Sequence, residues 1–310
     1  MTVGVIADLC ADILVSGNVT PIYGQVEQYV DDYTLEIGGS AALFATQYVR
    51  LGGQLNLYGI LGNDTLGHMV KSRLEEENID TDFLTFSEQE KTTIGLGLSR
   101  NGDRAMLTYK GTLTAINAEW IAKTNLLDSI DHLHIASFYL LESLKDHWVP
   151  LLEKCKQSNI SVSLDTNWAP DENWSSVHEI LPWIDIFIPN EQEALLISGK
   201  QDLNEAGHWL AKLAKEVVIK CGPDGASYFH QNHSQQFKIP KSFLVDFKIA
   251  DTTGAGDNFD AGFLTQWLRK RPIETCIQTG MYCGTRSLTK IGGISGQSTP
   301  VELNQMGIEI

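Results

Sequence analysis

The sequence predicts a doubly wound α/β fold, a mainly parallel sheet flanked by helices, with a small antiparallel β lid beside it. Three observations carry this. From about residue 54 onward, short β-branched runs alternate with longer segments of 3.6-residue period. Two stretches, about 12–37 and 91–110, break that rhythm with partial alternation and Gly turns. The chain has 310 residues, 43% of them hydrophobic, enough apolar material for one large domain or two smaller ones. No low-complexity linker interrupts it, so 1–310 reads as a single domain with an appended lid.

The N-terminal run MTVGVIADLCADILVSG reads as a first strand, since Asp8 and Asp12 lie inside the apolar stretch and no basic region precedes it. Further strands are expected at LNLYGIL (55–61), HLHIA (132–136), ISVSL (160–164), IDIFIP (184–189) and EVVIKCG (216–222). Helices are expected at HMVKSRLEEEN (68–78), LKDHWVPLLEKCKQ (144–157) and LNEAGHWLAKLAKE (203–216). Strands separated by helices of this length imply right-handed crossovers and a sheet covered on both faces. In the irregular stretches, Arg100-Asn101-Gly102-Asp103 has the residues of a hairpin turn. A small sheet there fits either a flap that excludes water from a site or plain extra cover for apolar surface.

Composition removes several function classes. A net charge of −16, from 23 Lys+Arg against 39 Asp+Glu, makes a poor nucleic-acid binder, which needs a positive footprint. A phosphorylated small molecule remains compatible if backbone N–H groups and a metal ion meet the phosphates. Five scattered cysteines with no C-x-x-C pair read as reduced thiols, and no stretch approaches the roughly 18 apolar residues of a membrane span. Cytoplasm is the expected compartment.

The densest chemical signal is DTTGAGDNFDAGF, 251–263. Gly254, Ala255 and Gly256 stand where an apolar helical run begins, and unpaired N–H groups with a favourable dipole there suit a phosphate oxyanion. Asp257 falls in the first turn, placed to accept a proton from a hydroxyl nucleophile or simply to cap the helix. A dinucleotide G-x-G-x-x-G fails because Phe259 occupies the third glycine position, and no G-x-x-x-x-G-K-[ST] occurs, since Gln201 follows Gly199-Lys200. A second signal is IGGSAALFA, 37–45, whose paired glycines before a helix admit close approach to the backbone. A third is N-x-x-E, Asn190 to Glu193, after the strand IDIFIP; it offers oxygen ligands for Mg²⁺ and equally makes a helix capping box.

Together, the paired-glycine helix, the LGNDTLG turn (61–67), N-x-x-E and DTTGAGD, in this order and spacing, resemble the ribokinase (PfkB) family of carbohydrate kinases from residue 3 to about 300. The resemblance implies an α/β sheet with a β lid, and transfer of the ATP γ-phosphate to a sugar hydroxymethyl. It implies Asp257 as the base and Gly254, Ala255 and Gly256 as the anion hole. Asp12 matches the acid on the first lid strand that grips sugar hydroxyls, Gly38 and Gly39 the glycines lining the sugar pocket. Asn190 and Glu193 match the Mg²⁺–phosphate motif, and Lys220, Gly222 and Gly225 lie where the family contacts the nucleotide. Asp251 and Thr253 match a monovalent-cation (K⁺) loop, with Gly292 expected to complete it. A lid-to-lid homodimer is a further family expectation.

Two positions depart from the family. Leu43 stands where sugar kinases usually have Asn. In DTNWAP (165–170), which brings Asn167 to the substrate, Ala169 replaces an arginine. The pocket is therefore expected to be more apolar and to disfavour acidic sugars such as ketodeoxygluconate. A nucleoside kinase, or a binding protein that has lost turnover, are the alternatives. His132 and His134 alternate on a strand without a third zinc ligand, and Trp168, Trp174 and Trp183 are expected to pack.

Overall fold

The computed structural model describes residues 1–100, 103–245 and 247–310. Strands β1 (Thr2–Ile6), β2 (Cys10–Ser16) and β3 (Asp32–Gly38) lead into α1 (Ser40–Arg50), β4 (Gln54–Gly62), α2 (Thr65–Glu76) and β5 (Leu84–Ser87). The hairpin β6 (Thr93–Arg100) and β7 (Asp103–Tyr109) follows, then α3 (Ala118–Lys123), α4 (Leu126–Ser129), β8 (His132–Ile135), α5 (Trp148–Gln157), β9 (Ser161–Leu164) and β10 (Ile186–Phe187). The chain continues through α6 (Glu191–Ser198), α7 (Leu203–Leu210), β11 (Glu216–Lys220), β12 (Ala226–His230) and β13 (His233–Phe237). It ends in α8 (Ala255–Trp267), α9 (Ile273–Ser287) and α10 (Pro300–Gln305).

Nine strands form the main sheet in the order β13-β12-β11-β10-β9-β8-β1-β4-β5, parallel from β11 to β5 and closed by an antiparallel hairpin at one edge. Strand β1 pairs with β4 on one side and β8 on the other, so the crossovers diverge there and leave a crevice beyond the carboxyl ends. Two apolar cores cover the faces. One joins Phe44, Phe263, Ile277 and Leu303 from α1, α8, α9 and α10; the other joins Trp148, Leu152, Ile197 and Leu210 from α5, α6 and α7. Ridges of this size dominate the burial energy, at about 25 cal/mol per Å² of apolar surface.

Every strand expected from the β-branched runs is present. Two helices are shorter than their periodicity suggests. In 144–157 the regular helix starts only at Trp148, after a 3₁₀ stretch over Glu142–His147; Pro150 has no N–H and so belongs in the first turn. The helix over 203–216 stops at Leu210, because Lys215 donates to the Ile184 carbonyl and Glu216 pairs with Ile186, pulling the chain into β11.

The irregular stretches form the four-stranded sheet β3-β2-β6-β7. It is mixed rather than antiparallel as expected, because β2 and β6 pair in parallel, Asp12 beside Gly95. The cause is topological: β1 and β5 are parallel members of the main sheet, and both leave its carboxyl edge in the same direction. Arg100 and Asp103 pair as hairpin ends, while the expected turn centre, Asn101-Gly102, lies outside the described residues. All five cysteines are free thiols, and among the described residues no helix is long and apolar enough to cross a membrane.

The two strand histidines are buried in the core. His132 bridges Ser161 and Ser163 at 2.7 Å each, Ser163 continues to His134 at 2.8 Å, and Phe44 stacks on His134. Burial, foremost, keeps both imidazoles neutral down to about pH 3. In the unfolded chain they take up protons below about 6.5. Their contribution to stability is therefore complete above that pH and is lost as pH falls through it. Between pH 7 and 5.5 each histidine should cost about 1 kcal/mol of unfolding free energy. Urea titrations of the wild type and of His132→Gln/His134→Gln at the two pH values check this; equal pH slopes in both proteins would refute it.

Candidate active site

The candidate site side chains stand at or just beyond the carboxyl ends of β1, β8, β9, β10 and β11, around the start of α8. That helix begins without a side-chain cap. Its N-cap, Gly254, has φ +72°, a left-handed conformation that costs glycine little, and a Cβ there would come within 2.7 Å of the Leu43 side chain. The first-turn N–H groups are thus left open toward the crevice. Asn258 fixes the loop, its Nδ2 donating to the carbonyls of Gly254 (2.8 Å) and Gly293 (3.0 Å).

Asp257, in the first turn of α8, is 9% exposed. Burial, the charge of Asp165 and that of Asp8 push its carboxyl up to about 8, while Lys220 and the Ser40 hydroxyl partly offset them. Ser40 opens α1 next to Gly39, whose φ of +97° and contact with the Asp8 backbone exclude a side chain. Asp8, at the end of β1, caps α1 from outside the helix, accepting from Ser40 N (3.1 Å) and Ala41 N (3.0 Å). Asn167, held at φ +60°, donates to Ser40 Oγ (3.0 Å) and Ser137 Oγ (3.3 Å). Backbone strain of this kind in a non-glycine residue concentrates at functional sites.

A second charge cluster lies beside Asp257. Lys220 Nζ is 2.6 Å from Asp165 Oδ2 and 3.3 Å from Asp260. Burial works against the ammonium, but Asp165, Asp260 and Glu193 more than compensate and raise its pKa. Burial likewise opposes ionisation of Asp165; Lys220 and a hydrogen bond from Asp260 outweigh it, so Asp165 holds the negative charge and Asp260 is shifted upward. Asn190 and Glu193 form the capping box of α6, Glu193 N to Asn190 Oδ1 and Asn190 N to Glu193 Oε2, both 2.9 Å. Burial and Asp165 raise Glu193 to about 7, with Lys220 opposing.

Asp165, Asn167, Asn190, Glu193, Lys220 and the turn from Gly254 to Asp257 line a cavity of about 870 Å³, shared with Gly222 and Gly225 after β11; Ile239, Leu244, Phe247 and Leu288 add apolar wall. A volume of this kind accepts a drug- or nucleotide-sized ligand. On the lid, Asp12 is flanked by Gly38 and Gly95, where any Cβ would collide with its carboxylate, and Cys10 Sγ donates to Asp12 Oδ1 at 3.2 Å. Asp251 ties two loops, accepting from Thr253 N (3.0 Å), Thr253 Oγ1 (2.8 Å) and Gly292 N (3.0 Å).

Of the sequence-expected residues, Asn167, Asn190, Glu193, Lys220, Gly222, Gly225 and Gly254 to Asp257 line this one cavity, whereas Asp12, Gly38, Gly39, Leu43, Asp251, Thr253 and Gly292 are not part of its lining. Leu43 is nearly buried against Gly254 and Gly293, and Ala169 is wholly buried in the second core. Asp8, Asp165 and Asp260 were not singled out from sequence. Asp260 had a readable signal, lying three residues after Asp257 on one helix face; nothing local marks Asp8 or Asp165 as partners of distant groups. Trp168 is half exposed and packs edge-on against Trp174. Among the described residues no group of three or more His, Cys, Asp or Glu is arranged to hold a metal ion by itself. The donor set suits Mg²⁺, which usually takes one or two carboxylates and completes its shell with phosphate and water.

A raised carboxyl has a sign that can be checked. Asp257 titrates near 3.9 when unfolded, so its ionisation favours the unfolded chain, and stability declines as pH rises from about 4 to 8. Asp257→Asn should be more stable than wild type at pH 8, by roughly 2–4 kcal/mol, and nearly equal at pH 4. Denaturant unfolding at both pH values measures it; a destabilised Asp257→Asn at pH 8 would contradict this electrostatic account.

The family model of pfkB family carbohydrate kinases matches residues 4–300. The chain is 27% identical to a ribokinase of Haemophilus influenzae over 87% of its own length and 87% of that protein. It is also 27% identical to a 2-dehydro-3-deoxygluconokinase of Bacillus subtilis, covering 91% of this chain and 89% of the other. In fold it is similar to the ribokinase of Arabidopsis thaliana solved with ribose and ATP, at a TM-score of 0.81 and 20% identity over 98% and 97% of the two chains.

Proposed function

The chain belongs to the pfkB family of carbohydrate kinases, and from that premise we propose that it is an ATP-dependent kinase of a neutral sugar, transferring the γ-phosphoryl group to a hydroxymethyl oxygen. The observation that supports this most directly is the shared corner of Asp257 and the uncapped first turn of α8, in the lining of a cavity large enough for a nucleotide. In this reading the N–H groups of Gly254, Ala255 and Gly256 donate to the equatorial oxygens of the transferring phosphoryl group. Asp257 takes the proton from the attacking hydroxyl. Asn190, Lys220, Gly222 and Gly225 hold the nucleotide, Asn190 and Glu193 facing its Mg²⁺, and the metal neutralises phosphate charge when bound. Positioning and preorganised electrostatics then supply most of the rate enhancement.

Asp12, Gly38, Gly39, Leu43 and Asn167 form the sugar side. Relatives named for a neutral and for an acidic sugar stand at the same identity, so the pocket side chains must discriminate. Leu43 contributes no amide and Ala169 no guanidinium, while Asp8, Asp12 and Asp257 already place carboxyl groups around the crevice. An acidic sugar would bury an uncompensated carboxylate there, which is costly. A nucleoside is the second reading: Leu43 offers an apolar wall that a base tolerates. Asp251, Thr253 and Gly292 form the proposed K⁺ loop, and association of two copies through the lid is proposed for the exposed apolar lid residues Tyr23, Tyr29, Tyr33 and Leu107.

Asp257→Asn should keep the fold and nucleotide binding while lowering kcat by roughly 10²–10⁴; near-native turnover would rule out Asp257 as base. In a coupled assay over neutral sugars, sugar acids and nucleosides, neutral sugars should give the highest kcat/KM, and Asp12→Ala should depress that value by at least about tenfold with little change in KM for ATP. A sugar acid as best substrate, or unaltered sugar kinetics in Asp12→Ala, would reject the assignment. Replacing K⁺ with tetramethylammonium at fixed ionic strength should slow turnover without unfolding; indifference would make the Asp251 loop purely structural.

A further inference from the structure

Lys220 carries the one positive charge among the described residues lining the cavity. Its side chain is 11% exposed and its two partners, Asp165 and Asp260, are 6% and 0% exposed. As a stability device this cluster is poor, since a buried ion network is commonly no better than apolar side chains of equal volume. One ammonium, moreover, faces three carboxyl groups, Glu193 being the third. The location is informative. A Cβ built on Gly256 would lie 3.2 Å from Lys220 Nζ, which sets the ammonium against the open first turn of α8.

An ammonium has three donors. Asp165, on the loop after β9, takes one at 2.6 Å, and Asp260, on α8, faces another at 3.3 Å from both of its oxygens. Anchored from two separate elements, a side chain with four rotatable bonds is confined to one position. Its remaining donor is available to a ligand at the Gly256 corner.

We propose that Lys220 binds the terminal phosphoryl group of the nucleotide, and that Asp165 and Asp260 are positioning residues that hold its ammonium at that point. This rests on the phosphotransferase reading and adds to it a residue that distinguishes a triphosphate from a diphosphate. Charge-assisted contacts to phosphate are among the strong hydrogen bonds, so removal of the ammonium is felt mainly by the ligand that reaches it.

Calorimetric titration of Mg·ATP and Mg·ADP into the sugar-free protein tests this without relying on turnover. Lys220→Met should weaken Mg·ATP about 10- to 100-fold and Mg·ADP less than about threefold. Because that variant leaves Asp165 and Asp260 without their cation, Asp165→Asn/Lys220→Met receives the same titrations and the same expectation. Asp260→Asn, which keeps the ammonium but loosens it, should weaken Mg·ATP by about three- to tenfold with Mg·ADP unchanged. Equal losses for both nucleotides, or none, in the Lys220 variants overturn the assignment to the terminal phosphoryl. Native ATP affinity in Asp260→Asn overturns its positioning role. A wild-type protein that binds neither nucleotide would instead overturn the kinase reading on which the inference stands.

Discussion

Helix α8 begins with nothing of its own to satisfy its first N–H groups, and the rest of the site is organised around that vacancy. An ordinary helix would place Ser, Thr or Asp at the N-cap; here Gly254 occupies it in a left-handed conformation and withholds any side chain. Such a turn would be loose if left to itself. Asn258 prevents this from inside the helix by holding the carbonyls of Gly254 and Gly293, and Leu43 packs over both glycines from α1. The open end is therefore held in place as well as electropositive, the combination that the proposed anion site would need in order not to reorganise during reaction.

Around it the charges are arranged against the preference of a stable core. Asp257, Asp165, Asp260, Asp8 and Glu193 meet a single lysine. Burial shifts Asp257 and Glu193 strongly upward, while Asp165 retains its negative charge chiefly through Lys220, helped by the hydrogen bond from Asp260. Helices α1 and α8 converge on this region, and Asp8 caps α1 from the end of β1. The same carboxyl group therefore stabilises a helix start and raises the basicity of its neighbour.

Much of this was legible in the sequence, because the informative residues are contiguous. N-x-x-E occupies one turn, DTTGAGD runs from a short loop into the first turn of α8, and both patterns mark a helix N-terminus. The β-branched runs located the strands for the same local reason. The parts that escaped are those made by tertiary pairing. Asp165 and Lys220 are 55 residues apart in the chain, and nothing near either names the other. The parallel direction of β2 against β6 follows from where β1 and β5 lie in the main sheet, and periodicity carries no direction. Leu43 was noticed as a departure, but its packing on Gly254 and Gly293 appears only in three dimensions.

The lid is attached to the main body by four short chain segments: residues 7–9, Gly39, residues 88–92 and Lys110. Tethers of one to five residues have almost no slack. A plate suspended this way can tilt about the line of its attachments but cannot translate across the crevice. Asp12, close to that line of attachments on β2, would sweep only a small arc as the outer strand ends travel furthest. In any such tilt the Asp12 carboxylate would stay nearly in register with the floor while the outer strand ends move, so leverage and positional precision fall at opposite ends of the same sheet.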